Sequence, residues 1–393
     1  MTTATTPLTT PAFADTLASV TPEQVAEWVR SADLATARRA MHADRPLDVR
    51  DLAALLSPAA APLLEEMAQR AHQVGMQRHG RVVTFYVPLY LSNHCVNYCV
   101  YCGFKKGVKS IRRHTLSRDE LIAEADRLRD MGFRHILLVS GEDRREVPVE
   151  YMADAAAICH ARFESVALEV EALTHDEYAQ IVAAGCEGLA IYQETYDRKV
   201  YKWAHPGKPE SAPKADYDFR LAAPDRGAAA GMRHIGIGAL LGLGDWHYEA
   251  VAMLLHARHI MKHHWMTKVS LSFPRLRDEN GGFVPKSERT LSDREFVQLW
   301  CAMRIALPDA EMVLSTREAP ALREALVPLG VNRMSAGSKT TPGGYAKPTD
   351  AGAQFQIVDE RPPVEVAATI TRIGYEVVWK DWDRAFLGDD ATT

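Results

Sequence analysis

The chain has 393 residues and a formal net charge of −5, with 47% hydrophobic and 25% charged residues, the proportions of an ordinary globular protein. That length allows one large domain with extensions, or two domains, and buries enough surface to fold without disulfide staples. Charges of both signs are spread along it, which argues against a nucleic-acid-binding face, and no run reaches the roughly 18 apolar residues that a membrane span needs.

Residues 1–14 are rich in Thr and Pro and lack the basic start and apolar core of a signal peptide. They read as a disordered N-terminus, and the chain as intracellular, hence cytoplasmic. Residues 15–81 read as a helical extension, with helices over 22–31, 34–43, 49–56 and 61–79. From residue 82 the pattern changes to short β-branched and apolar runs: 82–91, 135–140, 165–170, 188–193, 234–242, 268–276, 311–316 and 331–336. Helical segments separate them: 117–131, 149–163, 174–184, 215–231, 245–264, 292–306 and 320–327. Ser117 with Glu120, Thr174 with Glu177 and Ser292 with Glu295 form capping boxes. Eight strands alternating with helices predict an α/β fold with a parallel sheet, closed as a (β/α)8 TIM-type barrel over 82–336. An open doubly wound sheet is the competing arrangement. Residues 337–393 are then a C-terminal cap and tail.

In such a barrel the site lies where the strands end. The unusual polar clusters fall there: the cysteine segment after the first run, Ser140-Gly141-Glu142 after the second, Glu169 and Glu171 at the third, and Gln193-Glu194-Thr195 at the fourth. Thr316-Arg317-Glu318 follows the seventh and Ser335 ends the eighth.

Cys95, Cys99 and Cys102 form C-x3-C-x2-C, whereas Cys159, Cys186 and Cys301 are scattered and read as small buried hydrophobes. Such a cluster reads as metal or cofactor binding rather than as a disulfide framework. Thiolates bind iron–sulfur clusters and zinc. A structural zinc site wants four ligands, so His94 would have to complete it. Three thiolates on a cubane leave one iron open, and the amine and carboxylate of an amino acid suit that position.

The spacing resembles the signature of the radical S-adenosylmethionine (radical SAM) superfamily. The resemblance implies a [4Fe-4S] cluster on Cys95, Cys99 and Cys102, with S-adenosyl-L-methionine as cofactor. It places Tyr101 beside the adenine and Gly141 and Glu142 at the cofactor's amino group. Glu194 would meet the ribose hydroxyls and Arg220 the carboxylate, although structural ion pairs are the alternative for both.

Longer words resemble 2-iminoacetate synthase, the tyrosine lyase of bacterial thiazole (thiamine) biosynthesis, from about residue 50 to 385. Among them are Tyr192-Gln193-Glu194-Thr195-Tyr196, Ser272-Phe273-Pro274-Arg275-Leu276-Arg277, Leu314-Ser315-Thr316-Arg317-Glu318, Pro342-Gly343-Gly344-Tyr345 and Trp379-Lys380-Asp381-Trp382-Asp383. In that family a 5′-deoxyadenosyl radical takes a hydrogen atom from tyrosine, at its amino group. The Cα–Cβ bond then breaks to give 2-iminoacetate (dehydroglycine) and p-cresol. Tryptophan lyase shares the Thr-Arg-Glu word. By that likeness Arg317 forks onto the substrate carboxylate, Ser335 is a second contact, and Tyr90 neighbours the substrate. A lyase of tryptophan or another aromatic amino acid is the alternative, but the Pro-Gly-Gly-Tyr and Trp-Lys-Asp-Trp-Asp words favour L-tyrosine. The tyrosine lyase of hydrogenase maturation carries further C-terminal cysteines, and none follows Cys301 here. The resemblance also implies flavodoxin or ferredoxin as electron donor and a complex with thiazole synthase. His94, His114, Glu169 and Glu171 are the candidates for acid–base work on the phenol.

Overall fold

The computed structural model describes residues 12–276 and 290–380. Arg277, Asp381, Trp382 and Asp383 of the words above, and residues 1–11 of the expected disordered terminus, lie outside the described residues.

Alternation along the first strand shows how the sequence builds the barrel. Val83, Phe85, Val87, Leu89 and Leu91 join the main core under the helices, while Tyr86, Pro88 and Tyr90 line the interior chamber. The strands are β1 (Val82–Ser92), β2 (His135–Ser140), β3 (Ser165–Glu169), β4 (Gly188–Ala190), β5 (His234–Gly238), β6 (Lys268–Ser272), β7 (Glu311–Leu314), β8 (Arg333–Ser335) and β9 (Glu376–Val378). β1 to β8 pair in chain order, all parallel, and β1 pairs with both β2 and β8, which closes the barrel. The open-sheet alternative is thereby excluded.

The helical extension forms as read over Pro22–Ser31 and Val49–Leu56, with Leu34–Met41 two residues shorter than expected. The expected helix over 61–79 is instead a 3-10 turn, Pro58–Leu63, followed by an α-helix, Leu64–His79. Pro62 carries no N–H and crowds the preceding turn, so α-helical bonding begins after it. These helices pack on the barrel helices Trp246–His263 and Asp293–Ala306.

Several expectations need correction. Ordered chain begins before residue 15: a short helix, Phe13–Ala18, buries Phe13 against His256 with ring centroids 4.0 Å apart. One buried aromatic outweighs the polar composition around it. The helix expected over 215–231 is two, Tyr217–Leu221 and Ala223–Ala229, with Pro224 starting the second. The helices Arg198–Ala204 and Pro363–Arg372, and the strand β9, were not anticipated.

The segment after residue 336 does two things. Gln354 and Phe355 return across the barrel mouth and line the interior chamber. β9 adds to Val82–Thr84, the opposite end of β1, and Trp379 packs edge-on to Phe85 and Phe133. The Pro-Gly-Gly-Tyr word is a turn with φ of 72° at Gly343 and 97° at Gly344, a backbone that side chains disfavour. It delivers the Tyr345 hydroxyl to the Pro88 carbonyl at 2.7 Å and so ties the cap to β1.

The cap is also held by a buried ion pair, Arg323 with Asp359, and Arg323 donates to the Ser335 carbonyl. Removing one partner of a buried pair costs about 3–5 kcal/mol. Arg323→Met is expected at the lower end, about 3 kcal/mol, because Arg361 still reaches Asp359 at 2.8 Å. The check is a lower urea midpoint at unchanged slope; an unchanged midpoint would show that the pair does not hold the cap.

Cys159, Cys186 and Cys301 are buried, as expected, and burial pushes each thiol up to about 12.

Candidate active site

The inward positions at the C-terminal strand ends enclose one chamber. Tyr90, Val139, Glu169, Tyr192, Leu240, Ser272, Ser315, Arg317 and Ser335, which come from or follow successive strands, line it. A second lobe is lined by Cys95, Cys99, Cys102, Gly141, Glu142 and Arg220. The lobes share Cys102, Glu169, Tyr192, Glu194, Lys214 and Gln354, so they are continuous.

The cysteine loop follows β1. The Asn93 amide donates to the Arg112 carbonyl at 2.9 Å and accepts from the His114 N–H at 2.7 Å. Arg113 crosses beneath and donates to the carbonyls of Phe104 (2.8 Å) and Lys105 (3.0 Å). Gly141 permits the close approach of the β2 loop: a Cβ there would sit 2.2 Å from the His94 carbonyl oxygen and 3.2 Å from the Cys95 Cβ.

The donor set fits an iron–sulfur cluster. Burial raises the Cys95 thiol and holds the Cys99 thiol well above its ordinary value, so a thiolate is stable there only against a metal. N–H groups already aim at sulfur: Phe104 N–H lies 3.4 Å from the Cys102 Sγ, with the Asn97 and Gln354 amides each 3.8 Å from a cysteine sulfur. Such contacts tune cluster potentials. Among the described residues no three His, Cys, Asp or Glu side chains gather as they would round a single ion. The zinc alternative completed by His94 gains no geometric support, and His94 does not line the chamber.

Beside the loop runs a polar network. The Asn97 amide donates to Glu142 at 2.7 Å, Arg220 reaches Glu142 at 3.4 Å and Glu194 at 3.9 Å, and Lys214 pairs with Glu194 at 2.7 Å. Burial opposes ionisation of Glu194, but Lys214 and Arg220 outweigh it and hold the carboxyl at about 2. Glu194 is the one non-glycine residue with positive φ (69°) among the described residues. Its turn is clamped by Glu249, which accepts from the Thr195 hydroxyl and from the Tyr196 N–H at 2.7 Å. Strain held by surrounding contacts is a mark of functional sites. Tyr101 bonds His205 Nε2 at 2.8 Å while His205 Nδ1 lies 3.0 Å from the Tyr201 carbonyl. Burial takes the imidazole down to about 3, so it is neutral, and the Tyr201 carbonyl fixes Nδ1 as the donor and Nε2 as acceptor of the phenol.

On the other side Tyr90 donates to Gln354 Oε1 at 2.7 Å, and the Arg317 guanidinium lies over the Phe355 ring, 3.4 Å from its centroid. All eleven residues predicted for cluster, cofactor and substrate thus line the one chamber or its cysteine lobe. Of the four acid–base candidates only Glu169 does. His114 pairs with Glu120 at 3.2 Å and Glu171 with Arg144 at 2.5 Å. Sequence reasoning missed Asn97, Tyr192, His205, Lys214, Gln354 and Phe355. Only Tyr192 had a signal, being two residues beyond the inward Ala190.

Residues 89–255 match the family described as the Radical SAM superfamily, and residues 272–376 match the Biotin and Thiamin Synthesis associated domain. Over 356 residues the chain is 43% identical to 2-iminoacetate synthase of Escherichia coli (strain K12), covering 90% of this chain and 92% of that one. The chain belongs to the 2-iminoacetate synthase family. The Salmonella typhimurium 2-iminoacetate synthase is 42% identical, over 92% of this chain and 93% of its own. A solved structure of HydG, a maturase of the FeFe-hydrogenase, superposes with a TM-score of 0.86 at 31% identity, covering 92% of this chain and 81% of that one. Methylornithine synthase (TM-score 0.69, 19% identity, 90% and 98% coverage) shares the fold. As a radical SAM enzyme of the 2-iminoacetate synthase family, the chain uses a [4Fe-4S] cluster and S-adenosyl-L-methionine, and the three-thiolate lobe opening onto a polar chamber suits both.

Proposed function

We propose that this chain is a radical SAM carbon–carbon lyase that cleaves the Cα–Cβ bond of L-tyrosine to 2-iminoacetate and p-cresol, for thiazole (thiamine) biosynthesis. The observation that carries this reading is the single chamber that joins three cysteines to Arg317 and Ser335.

In this reading Cys95, Cys99 and Cys102 would hold the cluster, with a site left open for S-adenosyl-L-methionine. When bound, the cluster and this cofactor supply the electron and the 5′-deoxyadenosyl radical that begin the reaction. The chain's own residues bind, orient and keep water out. Glu142 meets the cofactor's amino group, and Gly141 lets the backbone approach it. Arg220 receives the cofactor's carboxylate; its contacts of 3.4 and 3.9 Å to Glu142 and Glu194 are long, which leaves guanidinium donors for a ligand. Glu194, anchored by Lys214, turns its carboxylate to the ribose hydroxyls, and Tyr101, fixed by His205, flanks the adenine. Arg317 forks onto the tyrosine carboxylate with Ser335 beside it, and Tyr90, tied to Gln354, bounds the substrate.

The same reading assigns flavodoxin or ferredoxin as electron donor, thiazole synthase as the recipient of the product, and a cytoplasmic location. Among the described residues no helix is long and apolar enough to cross a membrane.

The test is an anaerobic incubation of reconstituted, reduced protein with S-adenosylmethionine and either tyrosine or tryptophan, with products identified by mass. p-Cresol from tyrosine is expected. An indole product from tryptophan, with tyrosine left intact, would overturn the substrate assignment.

A further inference from the structure

Three carboxylates line the chamber: Glu142, Glu169 and Glu194. Two are met by the chain itself. Glu194 holds Lys214 at 2.7 Å, and Glu142 accepts from Asn97 at 2.7 Å with Arg220 at 3.4 Å. Glu169 is different: among the described residues no hydrogen bond or ion pair reaches its carboxylate. It ends β3 and faces inward, because Ala167 lines the interior cluster and Leu168 the outer core. In register it lies beside Val139, which in turn lies beside Tyr90. Three rings stand near it, with Tyr86, Tyr90 and Tyr192 all within its field. The charged groups that act on it are Glu194, Arg317, Lys214 and Arg220, none of them bonded to it.

Glu169 is half-buried and lines the chamber, so its carboxylate is open to a ligand's cation. The proposed substrate brings one. An amino acid whose carboxylate sits on Arg317 carries its ammonium group one carbon away, inside the same chamber. Every other carboxylate that lines the chamber is already met by a side chain. We propose that Glu169 binds the α-ammonium group of the substrate and takes one proton from it, leaving the neutral amine from which a hydrogen atom can be removed. An N–H bond breaks, its electron pair stays on nitrogen, and the proton goes to a carboxylate oxygen; nothing is oxidised or reduced. This rests on the amino-acid lyase reading above and assigns the end of the substrate on which Glu169 acts. Burial, reinforced by the neighbouring Glu194 charge, pushes the Glu169 carboxyl up to about 7, near the value that suits a base working at neutral pH.

The test uses anaerobically reconstituted holoenzyme, wild type and Glu169→Gln. Two ligands are titrated: tyrosine, and 3-(4-hydroxyphenyl)propionate, which has the same carboxylate and phenol but no amine. Glu169→Gln should weaken tyrosine at least tenfold and leave the desamino analogue unchanged or tighter. In the wild type, kcat/KM should rise with pH through about 7, since the ionised form accepts the proton; the variant should lose that limb. Equal weakening of both ligands would mean that Glu169 contacts the phenol or only shapes the pocket, and would overturn the proposal. So would an unchanged tyrosine affinity with the limb intact. Failure of the parent reading shows separately, in the wild type's own products. If the substrate were tryptophan, the same comparison with indole-3-propionate would test Glu169 unaltered.

Discussion

Cys99→Ala protein, purified and reconstituted without oxygen, is expected to hold no intact [4Fe-4S] cluster and to form neither 5′-deoxyadenosine nor methionine when reductant and S-adenosylmethionine are added. The reason is a count of ligands. A cubane on three thiolates keeps one iron for the cofactor; on two it loses the anchor that fixes which iron that is. Cys99 is also the most deeply buried of the three. It is 4% exposed, and it packs with Tyr101, Ala204, Leu240 and Leu243 in the wall of the cysteine lobe. Burial holds its thiol well above the ordinary value, so in this wall a thiolate exists by virtue of the metal. The control is Cys301→Ala, whose buried thiol sits in the helix Asp293–Ala306 and should leave iron content and cleavage untouched. Iron and sulfide analysis with the visible spectrum reads the first half of the expectation, and chromatography of the products the second. Full iron content and cofactor cleavage in Cys99→Ala, or about one zinc per wild-type chain and no iron, would end the radical reading.

Why was so much of the barrel legible beforehand? The strand and helix starts are set by local chemistry. Ser117, Thr174 and Ser292 each accept from the N–H three residues on, while the glutamate there reaches back. β2 was bounded to the residue because all six of its positions are buried, so the run has sharp edges. The later strands were drawn too long for a physical reason. Inward alternation continues past the end of the hydrogen-bond ladder: Tyr192, Leu240, Pro274 and Arg317 still face the chamber after β4, β5, β6 and β7 have stopped pairing. The pattern of residues records which way side chains point, whereas a strand is defined by pairing. The isolated bridges Glu194–Ala239 and Leu241–Arg275 are the remnants of that pairing.

The site divides in the same way. Residues carried by motif or by strand period were found, because their place follows from neighbours in sequence. Lys214 stands in a 3-10 turn, Pro213–Ala215, within the connection between Arg198–Ala204 and Tyr217–Leu221, and no period aims it at Glu194. Gln354 meets Tyr90 across 264 residues of chain, and only the folded cap brings them together. The left-handed backbone at Glu194 was equally hidden. Gln193-Glu194-Thr195 contains no glycine or asparagine to announce it, and its clamp, Glu249, lies on a helix 53 residues beyond Tyr196. Motifs thus showed the ligands, while the groups that hold them in place came from tertiary contacts.

Arg317→Ala should separate substrate from cofactor. The variant is expected to keep the cluster spectrum and to bind S-adenosylmethionine as the wild type does, because Arg317 lines the strand-end lobe and not the cysteine lobe. Tyrosine should suffer instead. A hydrogen bond to a charged group contributes about 1.5–3 kcal/mol, so loss of a two-pronged fork lowers kcat/KM by roughly 10²–10⁴-fold. Much of that should appear in KM, since the carboxylate keeps its charge while the neighbouring Cα–Cβ bond breaks and is held in ground and transition state alike. Arg317→Lys should restore little: it keeps the charge but loses the planar pair of donors and the stacking on Phe355. Phe355→Leu removes the ring without the charge. If the ring only steadies the guanidinium, that variant should lose far less than Arg317→Ala. The comparison guards against a purely packing role, in which both variants would fall together. Tyrosine affinity unchanged in Arg317→Ala would put the carboxylate elsewhere in the chamber, and with it the ammonium group assigned to Glu169.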